Sequence, residues 1–220
     1  MFRIFNQIIA IFCFIFFIQK TTAQESPKDQ DYNPVSFIAS PYVLFGTGED
    51  IENVYNVGFG ANMGFKINIH DNKAFFQPTV AFEYFGSYYD EVIQNNLIIL
   101  KYGFQLKYQF EKESGGYLFP VLDINYADLE NYLSPRKNYK GENITIADGN
   151  GISTGVGIGV SSGRLNFQVT YNYFHPDISL NESVIGDLGD VSSIYNLYEI
   201  HETTMDFSNI EFAFGYQFNN

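Results

Sequence analysis

From Val35 onward, apolar and polar residues alternate along most of the chain, and this period of two constrains the fold more than any other sequence feature. In the clearest segment, every second residue from Ile98 to Phe110 is apolar, and Lys101, Gln105 and Lys107 lie between them. Such alternation indicates β-strands with one apolar and one polar face. No helical period of 3.6 residues competes with it, so the chain is predicted to be all-β.

Eight alternating segments follow one another along the chain. They are predicted as strands at 35–46, 54–69, 74–89, 97–110, 117–128, 152–162, 165–174 and 207–218. Short turns at Asp71-Asn72 and Gly163-Arg164 each join two of them, and glycine in the first position of the second turn is the type II′ preference. The expected cross-strand pairs are Met63–Val80 and Phe59–Tyr84 at the first turn, and Gly159–Gln168 and Gly157–Thr170 at the second. The predicted fold class is an all-β, eight-stranded antiparallel up-and-down barrel.

The direction of the apolar face decides between two kinds of barrel. A soluble lipocalin-like barrel keeps its apolar side chains inside around a ligand, whereas a transmembrane barrel turns them toward lipid and fills its lumen with polar ones. An eight-stranded barrel is only wide enough to be filled by side chains, and 23 Phe and 17 Tyr could not all fit inside. The apolar face is thus predicted to contact lipid, and its aromatic members are Tyr102, Phe104, Tyr108, Phe110, Phe167, Tyr171, Phe212, Phe214, Tyr216 and Phe218.

The beginning of the chain has the features of an export signal. Arg3 precedes an apolar stretch from Ile8 to Ile18, and small residues lead to a cleavage site after Ala23. The expected segments are a cleaved signal peptide at 1–23, a short flexible periplasmic leader at 24–34 and the barrel at 35–218. The only cysteine, Cys13, lies in the signal, so no disulfide and no cysteine nucleophile are expected in the mature chain.

Loop lengths predict an orientation. The gaps at 70–73, 111–116 and 163–164 are short and alternate with longer ones, of which 129–151 and 175–206 are the longest. Short periplasmic turns and longer external loops are the rule for outer-membrane barrels. Both ends of the barrel segment are then expected on the periplasmic side.

These features together carry a resemblance to a known family. With its alternating strands and its aromatic end segment Phe212, Phe214, Tyr216 and Phe218, the chain over 35–218 resembles the small eight-stranded outer-membrane barrels of the OmpX/OmpA-like superfamily. The resemblance implies a location in the cell outer membrane, contact with outer-membrane lipid and lipopolysaccharide, and insertion by the barrel-assembly machinery. Asn219 and Asn220 follow the last aromatic residue, which is a small departure from the family's terminal Phe.

The charge balance excludes nucleic acid as a partner, because 12 Lys and Arg stand against 25 Asp and Glu and form no basic run. Charged residues on the polar face are expected to form an ion-pair network in a filled lumen, since buried charges persist only when they are paired. They are Lys66, Glu83, Lys101, Lys107, Asp123 and Glu211, with Glu83 placed opposite Lys101 and Lys107 opposite Asp123. A proton or ion path along these residues is the alternative.

The last external loop holds the remaining candidates for chemistry. Neither His175 nor His201 is accompanied by a recognisable nucleophile motif, so no catalytic residue is predicted. The loop is acidic, and its candidate site consists of Asp187, Asp190, Glu199 and Glu202. Their spacing is not that of an EF-hand, so neither a metal nor another cofactor is predicted.

The leading hypothesis is a non-enzymatic outer-membrane barrel whose external loops, 129–151 and 175–206, serve surface contact or envelope integrity. Its partner would be an extracellular or envelope protein. One alternative is a narrow porin-like channel for small solutes or ions. Another is a lipid-modifying enzyme that acts through His175 or His201.

Overall fold

A computed structural model describes residues 35–48, 55, 57–70, 73–88, 93–111, 116–135, 144–180 and 205–218. These residues all belong to one compact unit, Asn33–Asn220. Within the described ranges, no helix has the length and apolar character needed to cross a membrane. The predicted signal peptide and leader lie outside the described residues and stay predictions.

The described residues form antiparallel strands in a single sheet. The strands are β1 (Val35–Gly46), β2 (Val57–His70), β3 (Ala74–Tyr88), β4 (Ile93–Tyr108), β5 (Phe110–Glu111), β6 (Tyr117–Pro135), β7 (Ile144–Ser162), β8 (Leu165–Phe174), β9 (Asp177–Leu180) and β10 (Asn209–Phe218). Pairing runs from β1 to β4 and on through β6, β7, β8 and β10, which closes against β1 with Phe37 opposite Phe218. The two short strands, β5 and β9, add to β6 and β7. The predicted closed barrel with eight wall strands is confirmed.

The register is as predicted where a two-residue turn sets it. Met63 pairs with Val80 across the first turn, and Gly157 pairs with Thr170 across the second. Gly163 has a positive φ of 56°, which an L-residue with a Cβ adopts only at a cost. A type II′ turn also needs a positive φ at this position.

Two other predicted registers are wrong by two residues. Glu83 lies opposite Ile99 instead of Lys101, which pairs with Ala81. Asp123 lies opposite Gln105, and Lys107 pairs with Val121. Each shift keeps every side chain on its predicted face, because the side-chain period of a strand is two. The predictions failed here because these two loops are longer than two residues, so their sequences, including Ser114-Gly115-Gly116, do not fix which residue is the centre of the hairpin.

The two longest predicted loops are also partly wrong. β6 continues to Pro135 and β7 begins at Ile144, so most of the predicted loop 129–151 is a paired hairpin. At the start of the predicted loop 175–206, β9 pairs with residues Ala147–Asn150 of the same hairpin. The barrel wall is thus extended by an external sheet, defined here as residues 127–135 of β6, residues 144–151 of β7, and β9.

The apolar face of the wall changes sides along β6 and β7. Outward residues from Leu118 to Tyr126 are apolar, and on β7 the outward Val156 is 61% exposed. Beyond Tyr126 the outward residues include the charged Asp128 and Glu130, while Ala127, Leu129 and Leu133 on the inward side are apolar and buried. About nine residues at about 3.3 Å each, tilted by about 40°, span roughly 23 Å, which matches the apolar band of a transmembrane barrel.

Above this level the core lies inside the molecule, as in a water-soluble protein. The buried apolar cluster at the external end consists of Tyr42, Leu44, Tyr55, Phe85, Leu97, Ile99, Ala127, Leu129, Leu133, Ile146, Ala147, Phe174, Met205, Phe207 and Ala213. Below it, the inward side chains of the same strands are mostly polar, among them Gln77, Gln105 and Gln168. The barrel therefore has an apolar outer face and a polar lumen in its lower part, and a buried apolar core in its upper, external part.

Candidate functional site

Glu83 and Lys101 form a buried ion pair near the middle of the lumen. The Lys101 Nζ lies 2.5 Å from Glu83 Oε1, and both residues are almost completely buried. The hydroxyl of Tyr42 donates a hydrogen bond of 3.3 Å to the same carboxylate oxygen. The contact forms diagonally across the sheet in spite of the register error, because a long lysine side chain reaches a neighbour two residues away.

The remaining charged residues of the predicted network are inside the barrel but make looser contacts. Asp123 is buried, and Gln105 donates to it over 3.4 Å. Glu211 is also buried and lies within electrostatic range of Lys101, Glu83 and Asp123. Within the described ranges, Glu83–Lys101 is the one direct ion pair among the predicted lumen residues.

The other two lysines of the set lie nearer the periplasmic end, over aromatic rings. Lys66 Nζ is 3.8 Å from the centre of the Phe75 ring, and Lys107 Nζ is 5.4 Å from the centre of the Phe119 ring. Both distances lie in the range of cation–π attraction. This end of the lumen is thus occupied by stacked cationic and aromatic side chains.

Glycines on the inner wall make room for bulky side chains from neighbouring strands. A Cβ at Gly159 would meet the Phe119 ring, and one at Gly60 would meet the Tyr42 ring. These aromatic rings lie across the bare backbone and fill the space that side chains at the glycines would take. The lumen is thus filled by packing, as expected for a barrel with eight wall strands.

A polar network, which the sequence did not reveal, closes the external end. The side-chain amide of Asn131 donates to the hydroxyl of Tyr55 (2.6 Å) and to Asn95 Oδ1 (2.7 Å). Tyr55 precedes β2 and is 1% exposed, surrounded by the apolar cluster. No sequence signal distinguishes it, because it is one aromatic residue near the start of the predicted strand 54–69, between Val54 and Asn56.

The aromatic residues predicted to contact lipid are on the outer face. Side chains at eight of the ten positions are 38–54% exposed: Tyr108, Phe110, Phe167, Tyr171, Phe212, Phe214, Tyr216 and Phe218. Phe104 and Tyr102 are less exposed because they pack against Phe76 and Tyr126, with ring centres 5.3 Å and 5.2 Å apart. The Tyr102 hydroxyl also donates to Asp128, which lies just above the apolar band.

His175 is the one candidate residue of the last loop that can be placed. Its ring stacks on Tyr173 with centres 4.1 Å apart, and its Nε2 lies 3.6 Å from Asp206 Oδ1. Asp187, Asp190, Glu199, Glu202 and His201 lie outside the described residues. Among the residues that can be placed, no group of three or more acidic, His or Cys side chains could hold a metal ion.

An outward apolar band of roughly bilayer height, a polar and filled lumen, and wall strands joined by short turns at one end define a class of protein. The chain is an outer-membrane β-barrel. Its fold and surface decide the class and the location, and no particular activity follows from them.

No protein-family model and no curated protein sequence match the chain. Solved structures that resemble this one include Ail, the attachment invasion locus protein of Yersinia pestis, in complex with the heparin analogue sucrose octasulfate. It is 11% identical with a TM-score of 0.46, over 84% of this chain and 97% of Ail. Neisserial surface protein A is 12% identical with a TM-score of 0.45, over 84% and 96% of the two chains. Because these values are low, the class given above depends on the geometry of this chain alone.

Proposed function

We propose that this protein is a non-enzymatic outer-membrane barrel whose external sheet contacts a partner outside the cell or in the envelope. The observation that carries the proposal is the continuation of β6 and β7 beyond the apolar band. About nine further residues of β6 extend roughly 30 Å along the strand from Tyr126. Such a length of paired strand is far more than a turn between two membrane strands needs.

The two faces of the external sheet support a role outside the membrane. Leu129 and Leu133 are buried against the apolar cluster, which makes the sheet a rigid continuation of the barrel. Glu130, Asp148 and Asp177 lie on the opposite face, and Thr145 donates a hydrogen bond of 2.9 Å to Glu130. A rigid, solvated sheet presents a surface to a partner at a low entropic cost.

The side chains inside the barrel support a function in contact with a partner and not a function as a channel. Aromatic rings cover the inner glycines, the Glu83–Lys101 pair crosses the middle, and the Tyr55 network closes the external end.

The enzyme alternative depends on His175. Its Nδ1 has no hydrogen-bond partner in the described part of the chain, and its Nε2 faces Asp206. A nucleophile activated by His175 would need a hydroxyl within hydrogen-bond reach of one of these nitrogens.

The experiment compares cells that express the wild-type chain with cells that express a shortened hairpin. Residues 134–143 are replaced by Asn-Gly, which keeps the pair Leu133–Ile144 at the end of the ladder. We expect the shortened variant to lose most of the attachment of cells to immobilised fibronectin or collagen. A matched control replaces residues 112–115, in a predicted periplasmic turn, and should attach like wild type.

Three results would contradict the proposal. The first is attachment by neither the wild type nor the variants above the level of cells that lack the protein. The second is stepwise conductance of the purified wild-type barrel in a planar bilayer, which would favour the porin-like alternative. The third is a change in lipid A mass that disappears in a His175→Ala variant, which would favour the enzyme.

A further inference from the structure

We propose that the periplasmic rim of the barrel holds one phospholipid of the inner leaflet at a defined site, between the β7–β8 turn and β10. This inference goes beyond the proposed contact function, and it depends only on the membrane location. Its basis is a groove of about 300 Å³ that lies beside the Gly163-Arg164 turn.

The wall of the groove is apolar on the outer side of the barrel. Leu165, Phe167 and Phe214 line it and are 47%, 41% and 54% exposed. Leu165 lies next to the turn, and Phe167 pairs with Phe214, so these side chains lead from the rim into the apolar band. A single acyl chain lying along them would bury apolar surface without leaving the hydrocarbon region.

The edge of the groove is polar at the turn. Ser162, which is exposed on the outer face beside its partner Leu165, is the polar residue of the groove there, while Ser161 and Asn166 line it from the lumen side. The site therefore passes from apolar to polar within a few residues, at the level where the lipid headgroups of the inner leaflet begin. This sequence of surfaces fits an amphipathic ligand and does not fit a purely apolar one.

Arg164 provides the charge that would select a phosphate. Its Nη1 donates to the hydroxyl of Tyr216 over 3.4 Å, which holds the side chain on the outer surface next to Leu165, the partner of Tyr216 on β8. In the part of the chain that the structure describes, no carboxylate forms an ion pair with this arginine. A guanidinium has five N–H donors, so several remain for the oxygens of a phosphate, which arginine binds in a bidentate manner.

The test measures the phospholipid that stays bound to the purified full-length mature barrel. The protein is reconstituted in nanodiscs of phosphatidylethanolamine and phosphatidylglycerol, transferred to detergent, and analysed by native mass spectrometry. We expect one retained phospholipid per wild-type barrel. Arg164→Gln should lower the retained fraction roughly tenfold, because a charge-assisted hydrogen bond to phosphate is lost. Ser162→Trp, which obstructs the groove but keeps the arginine, should lower it as well.

Lys73→Gln is the matched control, because Lys73 is an exposed cation at another turn of the same end and does not line the groove. Equal retention by Arg164→Gln and Lys73→Gln would overturn the proposal and indicate nonspecific annular lipid. Release of the lipid by inorganic phosphate alone would also overturn it, because the acyl chain would then contribute nothing. A heat-dependent shift on SDS gels shows that each variant is folded before its lipid is measured.

Discussion

At the scale of single residues, the Glu83–Lys101 pair is the clearest case of a buried charge with one direct partner. Lys101→Met should destabilise the barrel by about 3 kcal/mol, because it leaves a carboxylate buried without its cation. Glu83→Gln should cost less, since Asp123 and Glu211 still face the lysine. Urea unfolding of the protein in lipid vesicles measures both free energies.

The double variant of this pair is the decisive measurement. We expect it to recover at least about 1 kcal/mol relative to the sum of the single effects, since residues in direct contact couple in this way. Lys73→Met, in an exposed turn, should leave the free energy of unfolding unchanged within about 0.5 kcal/mol. Strict additivity at 83 and 101 would mean that the two side chains do not meet.

Two glycines should respond to substitution for different physical reasons. A Cβ at Gly103 would lie 2.6 Å from the Cα of Asn125, so Gly103→Ala must displace backbone and should cost about 2 kcal/mol. A Cβ at Gly163 meets nothing within 4 Å, and Gly163→Ala should cost about 1 kcal/mol through its positive φ alone. Asn tolerates this φ, so Gly163→Asn should be milder than Gly163→Ala, whereas Gly103→Asn should bring no relief. The reverse order would contradict this explanation.

At the scale of strands, the change of apolar face along β7 predicts where a charge is tolerated. Val156→Lys places a cation in the apolar band and should cost roughly 2–4 kcal/mol in lipid vesicles. Asn150 lies on the same face of the same strand above the band, where its side chain is exposed. The free energy of unfolding of Asn150→Lys should therefore stay within about 0.5 kcal/mol of the wild-type value. Similar costs at both positions would show that the membrane boundary is not near Ile152.

The same change of face explains why the sequence revealed the barrel but not the external sheet. Alternation with a constant phase predicts a strand, and it ends near Asp128 because the outward residues become polar and the inward ones apolar. Read from the sequence, this exchange looks like the end of a strand, although the backbone continues to Pro135. The eight wall strands were therefore predictable from the sequence. The full lengths of β6 and β7 were not, because they depend on the position of the boundary between lipid and water.

The candidate site was predictable only in part, for a related reason. Period-two alternation placed Glu83, Lys101, Asp123 and Glu211 on the inner face, and all four are buried there. It could not say which of them meet, because a shift of two residues leaves every face unchanged. A contact such as that of Asn131 with Tyr55, which are 76 residues apart, cannot be inferred from a local sequence pattern.

At the scale of the whole molecule, the closed ladder predicts the behaviour of the protein on a gel. Unboiled outer-membrane fractions should show a band that moves differently in SDS from the boiled sample, because the closed sheet leaves no edge for detergent to open. Cleavage by external protease between β6 and β7 should not abolish this shift, since β1 and β10 still close the wall. A single band that is unaffected by heating would contradict the closed barrel.

A filled lumen makes a second prediction for the whole protein. The purified barrel should give no stepwise conductance in planar bilayers, because side chains such as Phe119, Tyr42 and Tyr55 occupy the interior of the part of the barrel that the structure describes. The control is a known open porin in the same bilayer. Regular current steps from the wild-type protein would mean that the interior rearranges in lipid.

The pairing of Phe37 with Phe218 brings the first and last strands side by side at one rim. A short linker could therefore join these ends and make the chain circular without disturbing the wall. Opening that circle between Pro135 and Ile144 would create a permuted barrel whose new termini both emerge from the far end of the β6–β7 hairpin. Tags or folded domains attached to such termini would be displayed on the opposite side of the membrane from those attached to the natural ends.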